Sequence, residues 1–195
     1  NNYEYINDEL RKNNITPVSD IIQILKGKVS KEHLKLISDS YNDLGKDPYT
    51  NIQRYRALSR FNIEVGKIKK LPNLALKQPR SSNSLFGEVA RQFGDIERQI
   101  ISSESFQNIF RNMIKNFQLD NINDYQIWVH QIRTRIGEPI HAKTITPEGI
   151  HRDDAEKVGI VCVNRNDLQG AANRFYWNRS KESLFHKCNL DSGDL

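Results

Sequence analysis

Tyr125-Gln126-Ile127-Trp128-Val129-His130-Gln131-Ile132-Arg133-Thr134-Arg135-Ile136 alternates in character along its length. A strand turns successive side chains to opposite faces. Trp128, His130, Ile132 and Thr134 therefore share one face, and Val129, Gln131, Arg133 and Arg135 the other. Upstream, Ser105 to Phe117 has helical spacing. Phe106, Ile109, Phe110, Met113, Ile114 and Phe117 form one apolar stripe, a core-packing face. Earlier still, Arg54 to Val65 alternates in part and reads as one or two strands. Downstream, Val158 to Val163 is a short β-rich apolar run, the pattern of a buried strand, and Arg174 to Trp177 reads as another. Gly193-Asp194 reads as a turn. Residues 1–48 differ. Ser19-Asp20 caps a helix carrying Ile21, Ile22, Ile24 and Leu25. Ser30 caps a second, with Leu34, Ile37, Tyr41 and Leu44, and Gly45 suits the left-handed position that ends it. Helices followed by many short strands predict an α+β domain whose β part is a sandwich or barrel.

A length of 195 residues suits one domain, and a hydrophobic content of 37% excludes a wholly disordered chain. No apolar run approaches the ~20 residues of a membrane-spanning helix, so no membrane association is expected. The N-terminus lacks the basic start and apolar stretch of a signal peptide. Cys162 and Cys188 are too few for a disulfide framework and read as reduced thiols of a cytoplasmic protein. The formal charge is +5. Its clusters, Lys67, Lys69, Lys70 and then Lys77, Arg80, sit beside prolines without any nucleic-acid-binding signature. They read as a solvated loop or an anion-attracting one. Residues 66–88, with Ser81-Ser82-Asn83-Ser84 at their centre, read as a loop, either a lid or a surface excursion.

Glu148-Gly149-Ile150-His151-Arg152-Asp153-Asp154 carries the sharpest chemistry. On an extended strand His151 and Asp153 project to one face and present an imidazole beside a carboxylate. These are two of the three ligands of a 2-His-1-carboxylate facial triad, the ligand set of non-haem Fe(II) oxygenases. The same triplet also reads as an exposed histidine salt-linked to Asp153 or Asp154.

Four segments resemble the bacterial Fe(II)/2-oxoglutarate dioxygenases that hydroxylate free L-amino acids, the L-isoleucine dioxygenase family. They are Arg56-Ala57-Leu58-Ser59-Arg60, Ala90-Arg91-Gln92-Phe93, His130-Gln131-Ile132-Arg133 and Gly149-Ile150-His151-Arg152-Asp153-Asp154, in the family's order and spacing. Val163-Asn164-Arg165 with Gly170-Ala171-Ala172-Asn173 resembles the family's next strand and turn, although Ala171 stands where the family has a glycine. The resemblance runs from about Arg54 to Leu195. It implies a double-stranded β-helix, a cupin-like jelly roll with N-terminal and flanking helices. Residues 1–195 then form a single domain. Residues 1–48 are its helical region, and 49–195 are its β core, with an inserted helix near 105–117 and without the last strands. The resemblance implies Fe(II) at His151 and Asp153, 2-oxoglutarate as cosubstrate and O2 as oxidant. It also implies a free L-amino acid or close derivative as substrate, with succinate and CO2 as co-products. Asp153 implies hydroxylation, because related halogenases carry a small residue there. The family's distal histidine ligand would fall about eight residues beyond Leu195 and completes the triad. The arginine for the far carboxylate of 2-oxoglutarate would lie later still. His186 is too close in sequence to take the histidine's place.

Other residues have open roles. If their face lines the barrel mouth, Gln131 and Arg133 could bind 2-oxoglutarate or a substrate carboxylate. Thr134, on the opposite face, is the alternative cosubstrate contact. Arg60 and Arg91 are candidates for the substrate's carboxylate, or for plain ion pairs. His130 reads as a hydrogen-bonded structural histidine. Two further functions stay open: a catalytically incomplete homologue that binds a small ligand, and a basic nucleic-acid-binding module. A homo-oligomer is compatible with the sequence.

Overall fold

The computed structural model describes residues 22–136 and 145–195. They fall into two compact units: Lys31–Gly159, and residues 22–30 with Ile160–Leu195. The expected Ser19-Asp20 cap lies outside the described residues.

In the larger unit β1 (Arg54–Glu64) lies between β2 (Lys67–Leu71) and β3 (Ile127–Thr134), antiparallel to both. Val65 and Gly66, at φ 50° and 72°, make the two-residue turn into β2. Left-handed geometry at both positions matches the twist of the flanking strands. The register runs from Phe61 opposite Ile127 to Arg54 opposite Thr134. Arg54, Arg56, Leu58 and Arg60 thus share a face with Thr134, Ile132, His130 and Trp128. The other face, with Ala57, Ser59 and Phe61, carries the helices α1 (Lys31–Ser40), α2 (Arg98–Ser102) and α3 (Glu104–Phe117). The Phe61 ring lies 5.7 Å from that of Phe106 and 5.4 Å from that of Phe110. Each such buried ring contributes roughly 1.5–3 kcal/mol. Ser103 caps α3, its hydroxyl accepting from the Phe106 amide. β1 is buried on both faces over most of Arg54–Ser59. Its alternation is only partial in the sequence because neither face needs to be polar.

Three sequence expectations are corrected here. Ile22–Leu25 forms no helix; Leu25 instead exchanges both backbone hydrogen bonds with Leu195. Gly45 does not end a helix in left-handed geometry. α1 stops at Ser40, a 3-10 turn follows over Tyr41–Asp43, and the Gly45 carbonyl accepts from the Arg56 amide at the open edge of β1. Val158 to Val163 is not a buried strand: Val158 is 54% and Ile160 45% exposed, and among the described residues only Cys162 pairs its backbone, with Gly193 and Asp194. Without a continuous partner the run has no ladder to join.

Residues 67–71 of the expected loop are β2, and the rest is tied down. Leu76 and Arg91 exchange both backbone bonds. Asn83 is buried, and its Oδ1 accepts from the amides of Leu85 and Phe86.

The smaller unit holds a hairpin of β4 (Asn173–Tyr176) and β5 (Leu184–Cys188), with Trp177 stacked on Phe185 at 4.1 Å. The described architecture is α+β, with antiparallel sheets of three and two strands. Among the described residues no helix is long and apolar enough to cross a membrane.

Candidate metal centre

The Arg54 face of the sheet carries the candidate chemistry. Arg54, 4% exposed, donates to Asp47 through Nε (2.8 Å) and to both Glu148 oxygens through Nη1 and Nη2 (3.3 and 3.1 Å). This buried fork fixes Glu148 at the start of the His151 segment. Glu148 itself sits in a turn closed by the Gly149 amide on the Thr146 carbonyl. Gly149 sits at φ +65° and Asp154 at φ +55°. Left-handed residues bracket the ligand pair, and aspartate is among the few side chains that adopt this geometry routinely. The segment is not the regular strand expected from the sequence. Its backbone is held by the 78–83 loop instead. The Arg152 amide donates to the Ser82 carbonyl, and Gln78 Nε2 donates to the Asp153 carbonyl (3.2 Å). Ser82 Oγ donates to Asp154 (3.2 Å).

His151 Nε2 and Asp153 Oδ1 stand 3.4 Å apart. Nδ1 of His151 lies 2.9 Å from the Gly149 carbonyl, which can only accept, so Nδ1 carries a proton and Nε2 is the nitrogen that faces Asp153. Protonated at Nε2 as well, the ring ion-pairs with Asp153; deprotonated there, it offers the lone pair that a metal takes. Asp153 raises the His151 pKa against the opposing effect of burial, and His151 lowers that of Asp153. An imidazole nitrogen and a carboxylate oxygen at this separation fit two neighbouring positions around an Fe(II)-type ion. Among the described residues no third His, Cys, Asp or Glu joins them.

His130, opposite Leu58, accepts through Nδ1 from Nη2 of Arg56. Burial first, then Arg56, pushes its pKa down to about 3, so the ring is neutral. Burial, helped by Arg54 and Arg91, brings Arg56 to about 10. Arg91, 2% exposed, donates to Gln78 Oε1 (2.6 Å) and lies 4.0 Å from Glu148. Gln78 thereby links Arg91 to the backbone of Asp153.

Residues 38–195 match the 2OG-Fe dioxygenase family. The chain belongs to this family. Membership implies Fe(II), 2-oxoglutarate and O2. Among solved structures the chain is similar to IDO from Bacillus thuringiensis, with 19% identity and a TM-score of 0.43. The match covers 57% of this chain and 51% of that one, so the chain spans about half of that structure's length. No curated protein matches.

The other residues singled out in the sequence lie apart from the His151–Asp153 pair. Gln131 and Arg133 lie on the helix side of the sheet, donating to Ser40 Oγ (2.9 Å) and Asn42 Oδ1 (3.2 Å). Thr134 shares the His130 face but pairs with Arg54, roughly 13 Å along the strand from His130. Arg60 lies over Trp128 and donates to Gln126 and the Pro72 carbonyl. His186 sits in β5, opposite Phe175. Sequence reasoning missed Asp47, Arg54, Arg56 and Glu148. One signal was available: Arg54 and Arg56 have the same parity, which puts them on one face of their strand. A cavity of about 410 Å³ at the β1 edge, between residues 45–48 and 92–95, includes neither His151 nor Asp153 in its lining.

Proposed function

We propose that this chain provides the metal site of an Fe(II)- and 2-oxoglutarate-dependent dioxygenase. The enzyme hydroxylates an unactivated carbon of a free L-amino acid or close derivative, on a jelly-roll core. The observation that carries the reading is the His151–Asp153 pair, with its imidazole tautomer held by Gly149 and its backbone anchored by Gln78 and Ser82. His151 and Asp153 would hold the iron. Fe(II) with 2-oxoglutarate supplies oxidation by O2, giving succinate and CO2 as co-products. The protein's part is to hold the His151 proton on Nδ1 so that Nε2 is the nitrogen presented to the metal, to keep the carboxylate beside it and to present cations to an acidic cosubstrate. The carboxylate at Asp153 supports hydroxylation.

Anaerobic addition of Fe(II) and 2-oxoglutarate should give a visible charge-transfer band that Asp153→Ala abolishes, with iron and turnover lost together. Turnover of free L-amino acids is then scored by mass gain and succinate. An Asp153→Ala variant that retains iron and turnover contradicts the assignment. A wild-type protein without the band points to the small-ligand-binding alternative.

A further inference from the structure

Residues 78–91 carry a buried hydrogen-bond chain whose polarity runs one way. Oδ1 of Asn83 accepts from the amides of Leu85 (3.1 Å) and Phe86 (2.9 Å). Backbone amides only donate, so this oxygen is fixed and Nδ2 points away from them. Nδ2 donates to Gln78 Oε1 (3.2 Å). The same oxygen accepts from Arg91 Nη2 (2.6 Å), and a guanidinium also can only donate. Gln78 is left with Nε2 for the Asp153 carbonyl (3.2 Å). Flipping either amide would set donor against donor and acceptor against acceptor. The backbone beneath Gln78 is held in turn. Its carbonyl accepts from the Glu88 amide at 2.7 Å, and Leu76, two residues before it, exchanges both backbone bonds with Arg91. The Arg91 guanidinium lies over the Phe86 ring at 4.8 Å.

We propose that Arg91 and Gln78 form a brace across the turn that carries the ligand pair, with Gln78 as the positioning residue that sets where Asp153 sits beside His151. Arg91 Nη1 lies 4.0 Å from Glu148, three residues before His151, and Gln78 grips Asp153, two residues after it. Two buried side chains, bonded to each other, thus hold the turn on both sides of His151. Residues 78–91 are a fixed support of the pair and not a lid. Gln78 touches only the backbone of Asp153, so it acts on the place of the carboxylate and not on its charge. Groups that orient metal ligands from outside the ligand set typically change metal affinity 10- to 100-fold when removed. The inference rests on the dioxygenase reading for the presence of an ion.

The test is titration of metal-free protein with Co(II), whose visible spectrum reports the ligands, in wild type, Gln78→Glu and Gln78→Leu. Gln78→Glu keeps an acceptor for Arg91 and Asn83 and turns an oxygen toward the Asp153 carbonyl, so only the tie to Asp153 is lost. Gln78→Leu loses the tie and also strips Arg91 and Asn83 of their acceptor, so it should melt lower than Gln78→Glu. Co(II) affinity should nevertheless fall about 10- to 100-fold in both variants, with an altered spectrum. The negative charge added by Gln78→Glu would by itself favour a cation, so weaker binding there reports the lost tie. Affinity that follows the melting temperature, reduced in Gln78→Leu and spared in Gln78→Glu, marks a merely structural glutamine and overturns the proposal. Amide exchange at Arg152 in metal-free protein is the readout that needs no ion. Gln78→Glu should accelerate it about 10-fold or more, with the Leu58 amide as the unchanged control. A wild type that binds no Co(II) removes the dioxygenase reading, and the brace then stands or falls on Arg152 alone. Equal Co(II) binding by wild type and Gln78→Glu keeps that reading and overturns the brace.

Discussion

His130 and Arg56 show how one buried contact sets the charge state of a site. Arg56 presents a donor to Nδ1 of His130, and a positive charge beside a buried ring leaves no room for a second proton. The folded pKa of about 3 lies below the ordinary 6.5. The unfolded chain therefore binds one more proton between those limits, and the stabilising contribution of a neutral His130 is lost as the pH falls through that window. Between pH 7 and pH 5 this group costs wild type about 2 kcal/mol that His130→Gln is spared. Urea unfolding of both proteins at the two pH values measures the difference, and parallel pH dependence refutes it. The His151–Asp153 pair was legible because i and i+2 side chains meet on any extended backbone. The Arg56–His130 pair was not, because it depends on the register between β1 and β3, and the sequence states only the parity of each strand.

At the scale of elements, the Arg54–Glu148 fork joins the middle of the sheet to the turn that delivers His151, across 94 positions of sequence. Breaking a buried ion pair by removing one partner leaves the other charged and unsolvated, at roughly 3–5 kcal/mol. Glu148→Ala should cost about that much in urea unfolding. It should also weaken divalent-metal binding at His151, because Gly149 holds Nδ1 and follows Glu148 directly. A loss below about 1 kcal/mol with unchanged metal affinity would mean that the loop is held by its Ser82 and Gln78 bonds alone. α3 was readable because an apolar stripe facing one neighbour imposes a strict period. β3 was readable for the same reason. The failures share a cause. Ile22–Leu25 and Val158 to Val163 are apolar runs too short to declare a period, and their backbones bond to residues far away in sequence.

Across the whole molecule, the buried cations Arg54, Arg56 and Arg91 are matched, among the described residues, by the buried carboxylates Asp47, Glu148 and Asp194. The last of these anchors the smaller unit. Asp194 has a side chain only 4% exposed. It accepts from Lys26 Nζ at 2.5 Å, from the Gly27 amide at 2.9 Å and from the Asp191 amide at 2.8 Å. Burial pushes its pKa up, but Lys26 and the two amides outweigh that and hold it below the ordinary 3.8. The carboxylate's contribution is therefore present above the ordinary value and lost as pH falls through the lower folded one. Backbone pairs Leu25–Leu195, Val29–Gly193 and Cys162–Asp194 surround the same point, so three stretches remote in sequence depend on one side chain. Asp194→Asn keeps the size and removes the charge. Hydrogen exchange at Leu25, Gly193 and Leu195 should then accelerate by about 10-fold or more, the loss of one charge-assisted bond. The amides of Leu58 and Phe61 in β1, which the tie does not touch, serve as the control. Equal acceleration in β1 would mean that Asp194 stabilises the chain globally, and no change at Leu25 and Leu195 would mean that the apolar side chains alone hold that unit.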